Sequence, residues 1–160
     1  MAESFSACEL VEIAKQIEEN GRDFYSVMAE RSENTEARLI FEYLAREEEK
    51  HLDVFNRIFA DSCDYTPKAA YPDEYFAYMK ALAGQYVFTR GNTGKELAQK
   101  AKDHREGIDL GIQAEKDSIL FYEGMKKMIP EKDRAAVDSL ILEEKKHLGK
   151  LCGLKGGCKE

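Results

Sequence analysis

The chain has 160 residues, 43% of them hydrophobic, which is enough for one domain around a single buried core. Its 24 basic and 31 acidic residues give a formal charge of −7 with no Lys/Arg block, which argues against nucleic acid or an anionic membrane surface as partner. No apolar run approaches a membrane span, and Glu3, Glu9 and Glu12 interrupt the N-terminal stretch where a signal peptide needs an apolar core, so a cytoplasmic protein is expected.

With 3 prolines, 11 glycines and apolar residues recurring every three to four positions, the pattern is helical almost throughout and predicts no strand. A capping box of Ser6 with Glu9 opens a first helix that runs to about Ser32, with Leu10, Val11, Ala14, Ile17, Glu18, Gly21, Phe24, Tyr25 and Met28 on its inner face. After the SEN turn a second helix reaches about Ala60, with Ala37, Ile40, Phe41, Leu44, Glu48, His51, Leu52, Phe55 and Ile58 facing inward. Residues 61–72 read as loop. DEYFAYMKALAGQYVF (73–88) is a shorter amphipathic segment, and Thr93 with Glu96 opens another short helix.

A third long helix spans about Asp103 to Met128, with Ile108, Gly111, Ile112, Glu115, Ser118, Ile119, Tyr122 and Met125 inward. Pro130 interrupts the chain, and the fourth helix carries Val137, Leu140, Ile141, Glu144, His147, Leu148 and Leu151. GLKGG ends the order, so the expected domain is 1–152, followed by a flexible tail at 153–160. The four cysteines, Cys8, Cys63, Cys152 and Cys158, form no Cys-x-x-Cys pair and are expected as free thiols, with a disulfide or weak metal contact between Cys152 and Cys158 as the lesser alternative. His104 has no acidic partner at helical spacing and is expected at the surface.

Two runs stand out. EEEKH (47–51) and EEKKH (143–147) place two of the three histidines behind nearly the same glutamate run, 96 residues apart. On the helical faces above only Glu48 and Glu144 point inward, each three residues before its histidine, whereas Glu47, Glu49 and Glu143 point to water. Helices one and three each carry a single inward acid, Glu18 and Glu115. Glu18 precedes Phe24-Tyr25 and Glu115 precedes Phe121-Tyr122, so the chain reads as a duplicated helix hairpin. Within each hairpin the two acids lie about equally far from the turn, about 22 Å at ~1.5 Å per residue, and should meet at one level.

Buried carboxylates need a proton or a cation, and no inward Lys or Arg accompanies these four. A metal pair is the natural partner. Carboxylate and imidazole donors suit iron or manganese, and four carboxylates balance two divalent ions. The alternative for each run is a solvated charged face. Tyr25 and Tyr122 lie two turns from their glutamates and either donate a hydrogen bond to a ligand carboxylate or simply pack in the core.

These residues make the chain resemble the ferritin-like di-iron carboxylate family, whose ligand set is one Glu from each of two helices and a Glu-x-x-His from each of the other two. The resemblance covers about residues 8 to 151 and is to rubrerythrin-like members, including the EYFAYMKALAGQYVF segment. It implies an all-α, ferritin-like four-helix bundle with a long helical crossover between helices 2 and 3. It also implies two iron ions, with manganese or mixed occupancy as variants: Glu18 and Glu115 as terminal ligands, Glu48 and Glu144 as bridges, and His51 and His147 on one iron each. The activity implied is reduction of hydrogen peroxide or dioxygen with electrons from a separate, rubredoxin-like donor, in a homodimer serving oxidative-stress defence. Iron oxidation and storage, or metal binding without catalysis, are the alternatives. Ser118 stands where typical rubrerythrins place an additional glutamate, which brings the pattern closer to the six-ligand set of bacterioferritin.

Overall fold

The computed structural model describes residues 4–88 and 91–156. Among them are six α-helices and one 3-10 turn, and no β-strand: α1 (Ala7–Arg31), α2 (Thr35–Cys63), α3 (Asp73–Gln85), α4 (Gly94–Lys100), α5 (His104–Met125) with the 3-10 turn Lys126–Met128, and α6 (Glu131–Lys155). The helix starts follow local chemistry. Ser6 and Glu9, and again Thr93 and Glu96, form reciprocal capping boxes, while Asn34 and Asp103 accept from the first free amides of α2 and α5. At the other end α6 runs to Lys155, three residues past the point where the sequence suggested that order ends, and closes on Gly156 in the left-handed region at φ 73°.

The four long helices make two antiparallel hairpins, α1 with α2 and α5 with α6, and the hairpins pack against each other through α1 with α5 and α2 with α6. Phe24, Tyr25, Phe41, Phe55, Phe121 and Tyr122 are fully buried where they meet. At roughly 1.5–3 kcal/mol for a fully buried large apolar side chain, this aromatic layer is a major source of stability. On α5 the inner face turns slightly from the expected one: Ala114 and Phe121 are buried, whereas Ile112 and Ile119 are only partly so.

The crossover between the hairpins is not slack. α3 lies against α5, where Tyr75 donates to the Gly124 carbonyl at 2.8 Å and buried Met79 fills the space over Gly124. α4 lies against α1: the Gly94 amide donates to Asn20 at 2.8 Å, and a Cβ at Gly94 would sit 1.9 Å from the Asn20 carbonyl oxygen, so only glycine allows this approach. Arg31 donates to the carbonyls of Ala98 and Ala101 and closes the C-terminal end of α4.

The expectation of free thiols fails for two cysteines. Cys8, in the first turn of α1, and Cys63, the last residue of α2, form a disulfide with their Cα atoms 4.3 Å apart. The antiparallel hairpin causes this. Both residues lie at the end far from the SEN turn, where a search for short Cys spacings could not pair them. Cys152 is half-buried on α6, and Cys158 lies outside the described residues. No helix is long and apolar enough to cross a membrane among the described residues.

Candidate metal centre

Each central helix presents its polar inward residues at i, i+3 spacing, so a single stripe of α2 carries Glu48 and His51, and one of α6 carries Glu144 and His147. All four are buried, and one donor atom from each lies within 4.8 Å of the others. Glu18 on α1 and Glu115 on α5, also buried, complete the cluster. Both imidazoles turn Nδ1 toward the carboxylates: His51 Nδ1 is 2.9 Å from Glu144 Oε1 and 3.5 Å from Glu18 Oε2. His147 Nδ1 is 3.2 Å from Glu144 Oε2, 3.6 Å from Glu48 Oε1 and 3.9 Å from Glu115 Oε2. Glu144 therefore gives one oxygen to each histidine. The rings themselves stack at 5.3 Å between centroids.

The electrostatics are those of crowded acids. Burial pushes Glu18 well above the usual carboxylate range, and the charges of Glu48 and Glu144 add to it. Glu115 is raised in the same way by burial and by Glu144. Burial also acts on Glu144, but hydrogen bonds from Glu115, His147 and His51 outweigh it and hold that carboxyl low. Burial opposes charge on the histidines, yet their carboxylate neighbours prevail. His51 is raised by Glu144 and Glu18, and His147 is pushed up to about 9 by Glu144 and Glu48.

The two tyrosines do more than pack. Tyr25 donates to Glu115 at 2.5 Å, and Tyr122 donates to Glu18 at 2.5 Å, both fully buried. Each thus reaches across to the acid of the other hairpin rather than the one on its own helix. Burial, foremost, and the adjacent carboxylate raise both phenols well above their ordinary value, so they remain donors at neutral pH.

A family model for rubrerythrin matches residues 9–155. The chain belongs to the rubrerythrin family. No curated protein and no solved structure shows significant similarity to it. The rubrerythrin match agrees with the all-helical bundle and with the buried Glu/His cluster.

The donors suit a metal pair. Glu18 Oε2 and Glu48 Oε1 are buried with no hydrogen-bond partner among the described residues, a costly state for carboxylate oxygens unless a cation binds there. The cationic groups that reach the four acids among the described residues are the two imidazoles.

Three contributors escaped the sequence pattern. Glu143 was expected to point to water, but although its side chain is 44% exposed, its Oε2 lies 2.9 Å from His51 Nε2. The helical angle that turns it off the core axis still leaves its carboxylate in reach of α2. Gly21 lies against Glu48, whose Oε2 would be 2.7 Å from a Cβ there. The spacing was available for this one, because Gly21 follows Glu18 by one turn on the same inward face. Tyr86, in the crossover, is buried and shares a 3.1 Å hydrogen bond with Ser118, whose own hydroxyl donates to the Ala114 carbonyl. Tyr86 therefore packs from the crossover against Ser118 on the inner face of α5, and no periodic signal in the crossover marks it. His104 opens α5 and makes no contact with the cluster.

Proposed function

We propose that this chain is a di-iron oxidoreductase that reduces hydrogen peroxide or dioxygen with electrons from a separate, rubredoxin-like donor. Glu144 carries the reading: one buried carboxylate directs Oε1 to His51 and Oε2 to His147, the arrangement of a ligand shared by two metal positions. Glu18 with His51 would hold one iron, Glu115 with His147 the other, and Glu48 and Glu144 would lie between. When bound, two ferrous ions together supply the two electrons that, with two protons, convert one hydrogen peroxide to two waters.

The protein's own part is to bind, orient and shield. Tyr25 and Tyr122 fix the outer oxygens of Glu115 and Glu18, leaving the remaining oxygens for metal. The aromatic layer of Phe24, Phe41, Phe55 and Phe121 keeps bulk water from most of the centre. A cleft of about 690 Å³ between α2 and α6, lined also by Glu47, Asp53 and Glu143, brings solvent to the outer side of His51.

The test is anaerobic loading with ferrous ion, elemental analysis, and rapid mixing with each oxidant. The expected result is two irons per chain, oxidised faster by hydrogen peroxide than by dioxygen, with steady turnover only when an electron donor is added. Accumulation of many irons per chain in a large assembly would instead identify storage. One tightly bound zinc, unaffected by Glu48→Ala or Glu144→Ala, would overturn the di-iron reading.

A further inference from the structure

The duplicated hairpin gives each residue of the centre a counterpart about 96 or 97 positions away, and most contacts obey that symmetry. Tyr25 reaches Glu115 as Tyr122 reaches Glu18. His51 Nδ1 faces Glu144 and Glu18 as His147 Nδ1 faces their counterparts Glu48 and Glu115, at 2.9 and 3.5 Å against 3.6 and 3.9 Å. The far side of the imidazoles breaks it. His51 Nε2 is 2.9 Å from Glu143 Oε2, but His147 Nε2 is buried with no hydrogen-bond partner among the described residues. The counterpart of Glu143 is Glu47, which is turned to Lys50 instead, with Nζ 2.5 Å from its Oε1.

We propose that Glu143 is a positioning residue for His51 and makes the two metal positions unequal, the one at His51 being the tighter. A histidine that binds metal through Nδ1 carries its proton on Nε2. An acceptor there fixes this tautomer, holds the ring in plane with the metal and increases the basicity of the ligating nitrogen. Glu143 supplies a charged acceptor to His51. Nothing equivalent serves His147 among the described residues; its ring packs edge-on against Tyr43 at 6.0 Å. Because Glu143 stands in the cleft between α2 and α6 rather than in the core, replacing it removes this contact without leaving a buried cavity.

This inference rests on the metal-binding reading above, and its test separates the two. Apo protein is titrated anaerobically with ferrous ion against a competing chelator, and bound iron per chain is measured by elemental analysis. Wild-type protein should fill in two steps at least about 10-fold apart in affinity. Glu143→Ala should weaken the tighter step by about 10- to 100-fold, the usual effect of losing such a partner, and leave the other unchanged. Glu143→Gln, which keeps an acceptor oxygen without the charge, should fall between. Glu47→Ala should change neither step, and the far-ultraviolet circular dichroism of apo Glu143→Ala should match that of the apo wild type, showing an intact helical fold. Two irons bound with equal affinity in the wild type, or Glu143→Ala weakening both steps by the same factor, would overturn the inequality while leaving the di-iron reading intact. Failure of the wild type to bind iron would overturn both.

Discussion

Replacing Gly21 with alanine should stabilise the metal-free protein and weaken metal binding, two effects of opposite sign from one methyl group. Gly21 lies inside α1, where alanine is favoured over glycine by about 1 kcal/mol. The new Cβ would lie 2.7 Å from Glu48 Oε2, and ordinary contact begins at 3.4 Å, so the carboxylate must withdraw by about 0.7 Å (3.4 − 2.7). In the apo protein that atom is the free end of a flexible side chain and can swing aside at little cost. A bound metal removes this freedom, because ligand distances tolerate only about 0.2 Å of deviation. Iron affinity should fall about 10- to 100-fold, or about 1.4–2.8 kcal/mol, which exceeds the helix gain. Scanning calorimetry should show the apo variant melting about 2–4 °C higher than apo wild type, and the iron-loaded variant melting lower than iron-loaded wild type. Chelator competition measures the affinity directly. Unchanged iron affinity in Gly21→Ala would refute the placement of Glu48 as a metal-bound carboxylate, and a lower apo melting temperature would refute the claim that Glu48 can move freely.

The metal-free protein should lose stability as pH rises from about 6.5 to 9. His147 contributes charged-state stability that is complete below its ordinary 6.5 and lost as pH passes through about 9, and the raised Glu18 and Glu115 act in the same direction. Glu144, held low, works the opposite way, but only below its ordinary 4.5. Melting curves of chelated protein across this range check the sign, and a flat or rising profile contradicts it; iron affinity should run oppositely, since metal must displace these protons. Tyr25→Phe and Tyr122→Phe should each destabilise by about 1–3 kcal/mol by leaving a buried carboxylate oxygen without its donor, measured by denaturant unfolding of the loaded protein; values near zero for both would mean the phenols merely pack. Reducing the Cys8–Cys63 bridge, or Cys63→Ser, should lower stability by up to about 4 kcal/mol, given the 55 residues it spans. No change in melting temperature with reductant would show that the bridge adds nothing.

The helices and the inward burial of six acidic and histidine side chains were legible in the sequence because both depend on local geometry. Apolar spacing of three to four residues defines each helical face, and the carboxylate and imidazole groups buried on those faces, among the described residues, are Glu18, Glu48, Glu115, Glu144, His51 and His147. Their distance from each turn even set the level at which α1 meets α2 and α5 meets α6. What periodicity does not carry is the rotation and offset of one hairpin against the other. That alone decided that Tyr25 serves Glu115 and Tyr122 serves Glu18, and that Glu143, on the shoulder of α6, touches His51 while Glu47, on the shoulder of α2, turns to Lys50. The same holds where irregular chain is involved: Tyr86 reaches Ser118 from the crossover, and Cys8 meets Cys63 because two helix ends coincide. A helix states in its own residues which side is inward, but which side chain it finds there depends on atoms contributed by the other hairpin, and those are fixed only when the whole bundle packs.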